Sequence, residues 1–160
     1  MGLIEDIGAG PVALDTAIFI YLIEEHPRFL PLVEPVFAAV DAGRWPGVTS
    51  GLTLLEVLVV PYRAGDLALA EQYETLLTRS RGIRMVEVDA ALLRSGAQLR
   101  ALTRMRAPDA LQVAAALRTR STAYLTNDRR LPAAPGLRVL QLRDYLRPRE
   151  GRLRPGPADA

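Results

Sequence analysis

Four carboxylates stand where carboxylates are costly. Asp15 interrupts VALDTAIFIYLI (residues 12–23), a run in which ten of twelve residues are apolar. Glu56, read on a helix, has Leu52, Val59 and Val60 at i−4, i+3 and i+4, and only Thr53 at i−3 is polar. Asp109 follows Pro108 at the head of APDALQVAAALRTR, a segment that is apolar nearly all round. Asp128 lies in YLTNDRRL, just past an apolar run. Acids are almost never fully buried unless paired or bound to a metal. Each has an ordinary reading as well. Asp15 suits a helix N-cap, and Glu56 a snorkelling or salt-bridged residue at the edge of the core. Asp109 suits the positive end of a helix dipole, and Asp128 a turn.

Together the four suggest a reaction. Carboxylates held close repel one another, and a hard cation relieves the repulsion. Oxygen-only ligands favour Mg2+ or Mn2+ over zinc. One ion activates a water, and two ions about 4 Å apart clamp both the attacking and the leaving oxygen of a phosphodiester. Thr16, Thr49 or Ser50, Thr126 and Asn127 could position that water or a phosphate. Arg129 and Arg130 are candidates for holding phosphates, with solvated surface arginines as the alternative.

Other chemistries lack their residues. All twenty basic residues are arginine. The absence of lysine removes a Walker P-loop and Schiff-base mechanisms. His26 is the only histidine, there is no cysteine, and no GxSxG nucleophile motif occurs. A zinc site rich in His or Cys cannot be built.

The elements that must position these acids follow from the apolar pattern. Short strands are expected at PVALD, PGVT, IRMVEV, TAYLT and RVLQL. Helices are expected at AIFIYLIEE, over 28–42 after Pro31, at SGLTLLEVLVVPYR with a stop near Pro61, and at DLALAEQYETLLTRS capped by Asp66. Two more are expected at DAALLRSGAQLRALTRM, capped by Asp89, and at APDALQVAAALRTR. Apolar strands alternating with amphipathic helices indicate a parallel α/β sheet covered on both faces. In such a sheet the carboxyl ends of the strands share one edge, where ligands collect. Asp15, Thr49–Ser50 leading to Glu56, and Asp128 all follow strands, and Asp109 opens the helix leading to Asp128's strand.

A chain of 160 residues suits one domain. Residues 1–146 are expected to form it, and 147–160, rich in Pro, Gly and Arg, to form a loose tail. No apolar run approaches the roughly 18 residues of a membrane helix. The acidic start MGLIEDIGAG lacks the basic region of a signal peptide, so a cytoplasmic location without membrane partners is expected. Charge is uneven. Residues 1–74 hold eleven acids against three arginines, a net −8, and residues 75–160 hold seven acids against seventeen arginines, a net +10. The basic half could attract a polyanion or simply coat exposed helices.

LDTAIFIYLIE, TSGLTLLEVL, APDALQVAAAL and YLTNDRRL resemble, in order, the four acidic motifs of PIN-domain proteins. More narrowly, the chain resembles the VapC-type toxins of bacterial toxin–antitoxin pairs, over about residues 11–146. The resemblance implies a three-layer α/β/α sandwich with a short central parallel sheet. It implies Mg2+- or Mn2+-dependent endoribonuclease activity with one or two ions, an RNA substrate, a small antitoxin and a homodimer. Asp15, Glu56, Asp109 and Asp128 match the metal-site acids. Asp15 and Asp109 are expected as direct ligands, and Glu56 and Asp128 are expected to complete or orient the shell, directly or through water. Thr16, Ser50 and Thr126 match the supporting hydroxyl residues. About ten residues before the first strand and a longer C-terminal tail depart from a minimal toxin. A non-catalytic PIN-like module that binds RNA or protein, and a housekeeping PIN nuclease, are alternatives; a small-molecule phosphatase ranks last.

Overall fold

Five short strands form one parallel sheet: β1 (Val12–Leu14), β2 (Gly47–Ser50), β3 (Ile83–Val86), β4 (Ala123–Thr126) and β5 (Arg138–Gln141), in the order β3-β2-β1-β4-β5. The structure is a computed structural model that describes residues 2–134 and 136–147; the expected tail lies outside these except for Arg147. β1 is central. Val12 and Ala13 pair with Gly47 and Val48 of β2 on one side, and Val12 to Leu14 pair with Ala123 to Leu125 of β4 on the other.

Every residue of β1, β2 and β4 is buried, which is why these strands show apolar and small hydroxyl residues without polar alternation. Alternation survives in which layer each side chain joins. Val12, Leu14, Ala123 and Leu125 enter the larger core, with Ile18, Phe19, Val33, Val57, Tyr73 and Leu77. Ala13 and Tyr124 enter the opposite layer, with Ala110, Val113 and Ala116. The first layer is built from α2 (Thr16–Ile23), α3 (Leu30–Asp41), α4 (Leu52–Ala64) and α5 (Leu67–Arg79). The second is built from α6 (Ala90–Leu102) and α7 (Ala107–Arg118). The molecule is the expected α/β/α sandwich.

Local chemistry sets the helix ends. Asp66 and Asp89 cap α5 and α6, accepting from Leu69 N at 3.1 Å and Leu92 N at 2.8 Å. Pro108 sits in the first turn of α7. Two local expectations need correction. Pro61 does not stop α4; the helix runs on to Ala64 and ends where Gly65 takes φ +68°. Losing one amide donor does not end a helix by itself, whereas a left-handed glycine does. In addition, residues 3–7 form a helix, α1, that was not expected. Leu3 and Ile7 bury one face of it, Asp6 accepts from the Tyr145 hydroxyl at 2.6 Å, and Ile7 O accepts from the Thr122 hydroxyl at 3.0 Å. Five residues are too few to display a helical period.

Candidate functional site

The strand order places the site. From β1 the chain steps outward to β2 and β3, then returns to lay β4 on the other side of β1. The reversal falls between β1 and β4, the position at which open parallel sheets hold ligands beyond their carboxyl ends. Asp15 follows β1 there, and Asp128 follows β4. A cavity of about 360 Å3 opens at this edge, and all four expected acids, Asp15, Glu56, Asp109 and Asp128, line it with Thr16 and Arg106.

Asp15 fills two roles. It is the N-cap of α2, with Oδ1 accepting from Thr16 N at 2.8 Å, while Oδ2 accepts from the Thr126 hydroxyl at 2.7 Å. The Thr126 oxygen in turn accepts from Asp128 N at 3.0 Å, so one hydroxyl joins the first and last acids. The Thr16 hydroxyl donates to Glu56 Oε1 at 3.0 Å.

Beneath these bonds lies a buried polar cluster centred on Gln112. Its Oε1 accepts from Ser50 N at 3.1 Å and from the Thr49 hydroxyl at 3.4 Å. Its Nε2 donates to Thr53 Oγ1 at 2.7 Å and to Thr16 Oγ1 at 3.3 Å. Gln112 thereby ties α7, β2, α4 and α2 together under the acids. Sequence reasoning passed it over, although it lies three residues after Asp109 and shares its helical face. Thr53 was visible only as the polar neighbour of Glu56.

Arg106 was also missed. It precedes α7, with Nε 3.5 Å from Asp109 Oδ2 and Nη2 3.6 Å from Asp128 Oδ2. Its side chain is 63% exposed, against 16% for Asp109 and 22% for Asp128, so it reaches in from solvent as an exposed counter-ion.

Other expected residues are placed differently. Ser50 contributes its backbone amide, while its buried hydroxyl has no hydrogen-bond partner among the described residues. Asn127 does not bond to the acids. Its Nδ2 donates to the Tyr21 hydroxyl at 3.2 Å, and its Oδ1 accepts from Arg143 N at 3.0 Å. Arg129 pairs with Asp144 at 2.6 Å, and Arg130 Nε lies 3.3 Å from Asp128 Oδ1. The surroundings of Glu56 also differ from expectation. Its neighbours Val59 and Val60 are exposed, so the apolar face of α4 points outward and Glu56 stands on it.

The electrostatics record crowded negative charge. Burial, then Asp128 and Asp15, raise the Asp109 pKa against the pull of Arg106. Glu56 is raised first by desolvation and then by Asp15 and Asp109, against the lowering effect of its bond from Thr16. Asp128 is lowered, first by the Arg130 backbone N–H and then by the Arg130 and Arg106 guanidinium groups.

The donor set is all oxygen and suits a hard divalent cation. As the side chains stand, however, no group of three or more His, Asp or Glu residues among the described residues is arranged to hold an ion. The expected convergence is therefore incomplete. The acids share a cavity, but each is held by an internal partner: Asp15 by Thr16 and Thr126, Glu56 by Thr16, and Asp109 and Asp128 by Arg106.

Fold and site define a compact parallel α/β protein with an acid-lined cleft at its switch point. The PIN domain family pattern matches residues 12–137, and the chain belongs to that family. Several solved structures share its fold. The FitAB complex bound to a DNA fragment is 18% identical, with a TM-score of 0.66 over 82% of this chain and 95% of that one. VapBC2 from Rickettsia felis, bound to a promoter DNA fragment, is 16% identical, with a TM-score of 0.62 over 81% and 97%. VapC20 from Mycobacterium tuberculosis, described as a toxin that cleaves the sarcin–ricin loop, is 15% identical, with a TM-score of 0.61 over 76% and 92%. No curated protein sequence matches the chain.

Proposed function

We propose that the protein is a Mg2+- or Mn2+-dependent endoribonuclease and the toxin of a type II toxin–antitoxin pair, working in the cytoplasm. One observation carries this reading: four carboxylates from remote parts of the chain line one cavity at the switch point of a PIN-family sheet. Asp15 and Asp109 are the proposed direct ligands, with Glu56 and Asp128 completing the shell for one or two ions. A bound ion supplies an activated water and neutralises charge building on the phosphate.

The chain's own residues do the rest. Thr126 orients Asp15 and fixes the turn that carries Asp128, and Thr16 holds Glu56. Gln112 keeps Thr16 in place from below. Arg106 balances Asp109 and Asp128 in the metal-free protein, and its exposed guanidinium can move to a phosphate when an ion takes that role. A small antitoxin and a homodimer belong to the proposal, as the family resemblance implies. Leu55, Val59, Val60 and Tyr62 of α4 and the adjoining Leu67 are exposed, an apolar surface of the kind that partners cover.

The test is RNA cleavage by purified protein with Mn2+ and with EDTA, using Asp15→Asn as the control. Cleavage that needs the ion and Asp15 supports the assignment, and a folded Asp15→Asn protein cutting at the normal rate removes it. The incomplete convergence of the acids favours one second reading, a PIN-like module that binds RNA without cutting it. Such a module would bind RNA in EDTA and never cut it with Mn2+.

A further inference from the structure

A second cavity, of about 460 Å3, shares the wall formed by Asp15 and Asp128 with the acid cleft and is lined beyond them by Tyr21, Asn127 and three arginines. Its volume falls in the range of small-ligand sites. We infer that it is a nucleotide subsite: it takes the phosphate and the unpaired base of the nucleotide next to the cleaved bond in single-stranded RNA. This rests on the ribonuclease reading and extends it from the cut bond to its neighbour.

The chemistry divides in two. Arg129, Arg130 and Arg143 supply the phosphate half. Arg129 is paired with Asp144, and Arg130 with Asp128. Arg143 is exposed and makes no ion pair among the described residues, so its guanidinium is the one available for a bidentate phosphate contact.

Tyr21 supplies the base half. His26 and Phe29 pack against its ring at centroid distances of 5.0 and 4.7 Å, so its position is set before any ligand arrives. Its hydroxyl accepts from Asn127 Nδ2 and keeps its own proton to donate. Asn127 is the positioning residue. One side of its amide holds Tyr21 on α2, and the other holds the Arg143 backbone, locking the two halves to the end of β4. An aromatic wall inside a cavity is reached by a splayed base and not by a stacked, paired one, which selects single strands.

The experiment measures fluorescence anisotropy of a labelled single-stranded RNA oligonucleotide in EDTA, so that nothing is cut. Arg143→Ala is expected to weaken binding severalfold and to reduce the salt slope by about one. Tyr21→Ala is expected to weaken it fivefold or more. Tyr21→Phe, which keeps the packing, is expected to lose the smaller part due to the hydroxyl. Arg94→Ala, exposed on α6 and outside both cavities, is the charge control. Thermal melts confirm that each variant is folded. A duplex of the same sequence should bind more weakly and ignore Tyr21→Phe. Wild-type affinity in both Arg143→Ala and Tyr21→Phe overturns the subsite, as does equal sensitivity of the duplex. Tyr21-dependent binding without cleavage in Mn2+ removes the nuclease reading and keeps the cavity only as a binding site for single-stranded RNA. Cleavage by wild-type protein with variants that bind as it does removes the subsite alone.

Discussion

Asp15→Asn should separate the two jobs of this carboxylate, because they have different energetic signs. In the metal-free protein Asn remains a good N-cap, with its Oδ1 accepting from Thr16 N as Asp15 Oδ1 does now. The contact with Thr126 must reverse, because Asn Nδ2 donates where Asp15 Oδ2 accepted, and the Thr126 hydroxyl loses its charged acceptor at a cost of about 1 kcal/mol. Against this, one negative charge leaves a cavity in which Asp15 raises the pKa of both Glu56 and Asp109. The two effects oppose, and the metal-free stability should change by less than about 1 kcal/mol, or about 2–4 °C. With metal the variants part company. An ion at 100 times its Kd stabilises the folded state by about 2.7 kcal/mol, or about 5–11 °C for a chain of this size. The assay is thermal unfolding in EDTA and across a Mn2+ titration, on both proteins. Wild type should climb by that amount and Asp15→Asn should stay nearly flat. An equal climb in the two proteins, or none in wild type, would refute the metal assignment of Asp15. A fall of several kcal/mol in EDTA would show instead that its role as cap and Thr126 partner dominates.

Three further outcomes follow from the same geometry. Asp109 has a pKa raised above its ordinary 3.8, so the fold opposes its charge; stability is intact below about pH 3.8 and is lost as pH rises through the folded value. Asp109→Asn in EDTA should therefore be more stable than wild type at pH 7, with the gap closing as pH falls toward 3.8, and a gap that ignores pH in urea melts counts against this. Gln112→Leu leaves the Ser50 amide without its acceptor and should cost about 2–3 kcal/mol by urea midpoint at constant m; a loss under about 0.5 kcal/mol would mean the cluster rearranges freely. Arg106→Ala removes a cation that competes with the ion through two partly exposed pairs, each worth up to about 1 kcal/mol, so calorimetry should find Mn2+ bound about two- to tenfold more tightly; weaker binding would mean that Arg106 orients the acids.

The strands were legible because burial on both faces leaves so few alternatives. VAL, GVTS and AYLT are buried at every position, and only apolar or small hydroxyl residues tolerate that. The acids were legible for the converse reason, as costly residues beside such runs. What escaped was whatever depended on a third dimension. The i±3 and i±4 neighbours of Glu56 identified an apolar face, but periodicity cannot say whether a face is covered, and Val59 and Val60 lie open. Gln112 looked like one polar residue in an alanine-rich helix, and its importance comes from β2, α2 and α4 arriving around it. Arg106 was one arginine among twenty until α7 set it beside Asp109 and Asp128.

The reversal of strand order explains both why the acids meet and why they do not close. Because β4 returns to the far side of β1, Asp15 and Asp128 come from adjacent strand ends and can share Thr126. Glu56 and Asp109 must then approach from helices in opposite layers, across the edge of the sheet. Negative charges brought together this way raise the pKa of Glu56 and Asp109, and internal partners offset only part of that. Threonine hydroxyls, the α2 amide and Arg106 are those partners, and every one is a weak or movable bond that a divalent ion could replace. A cleft whose charge is held apart by replaceable contacts, above a buried and fully bonded Gln112, combines a rigid floor with adjustable walls. On the proposed metal reading, the floor fixes where an ion sits, and the walls let the metal-free protein remain folded.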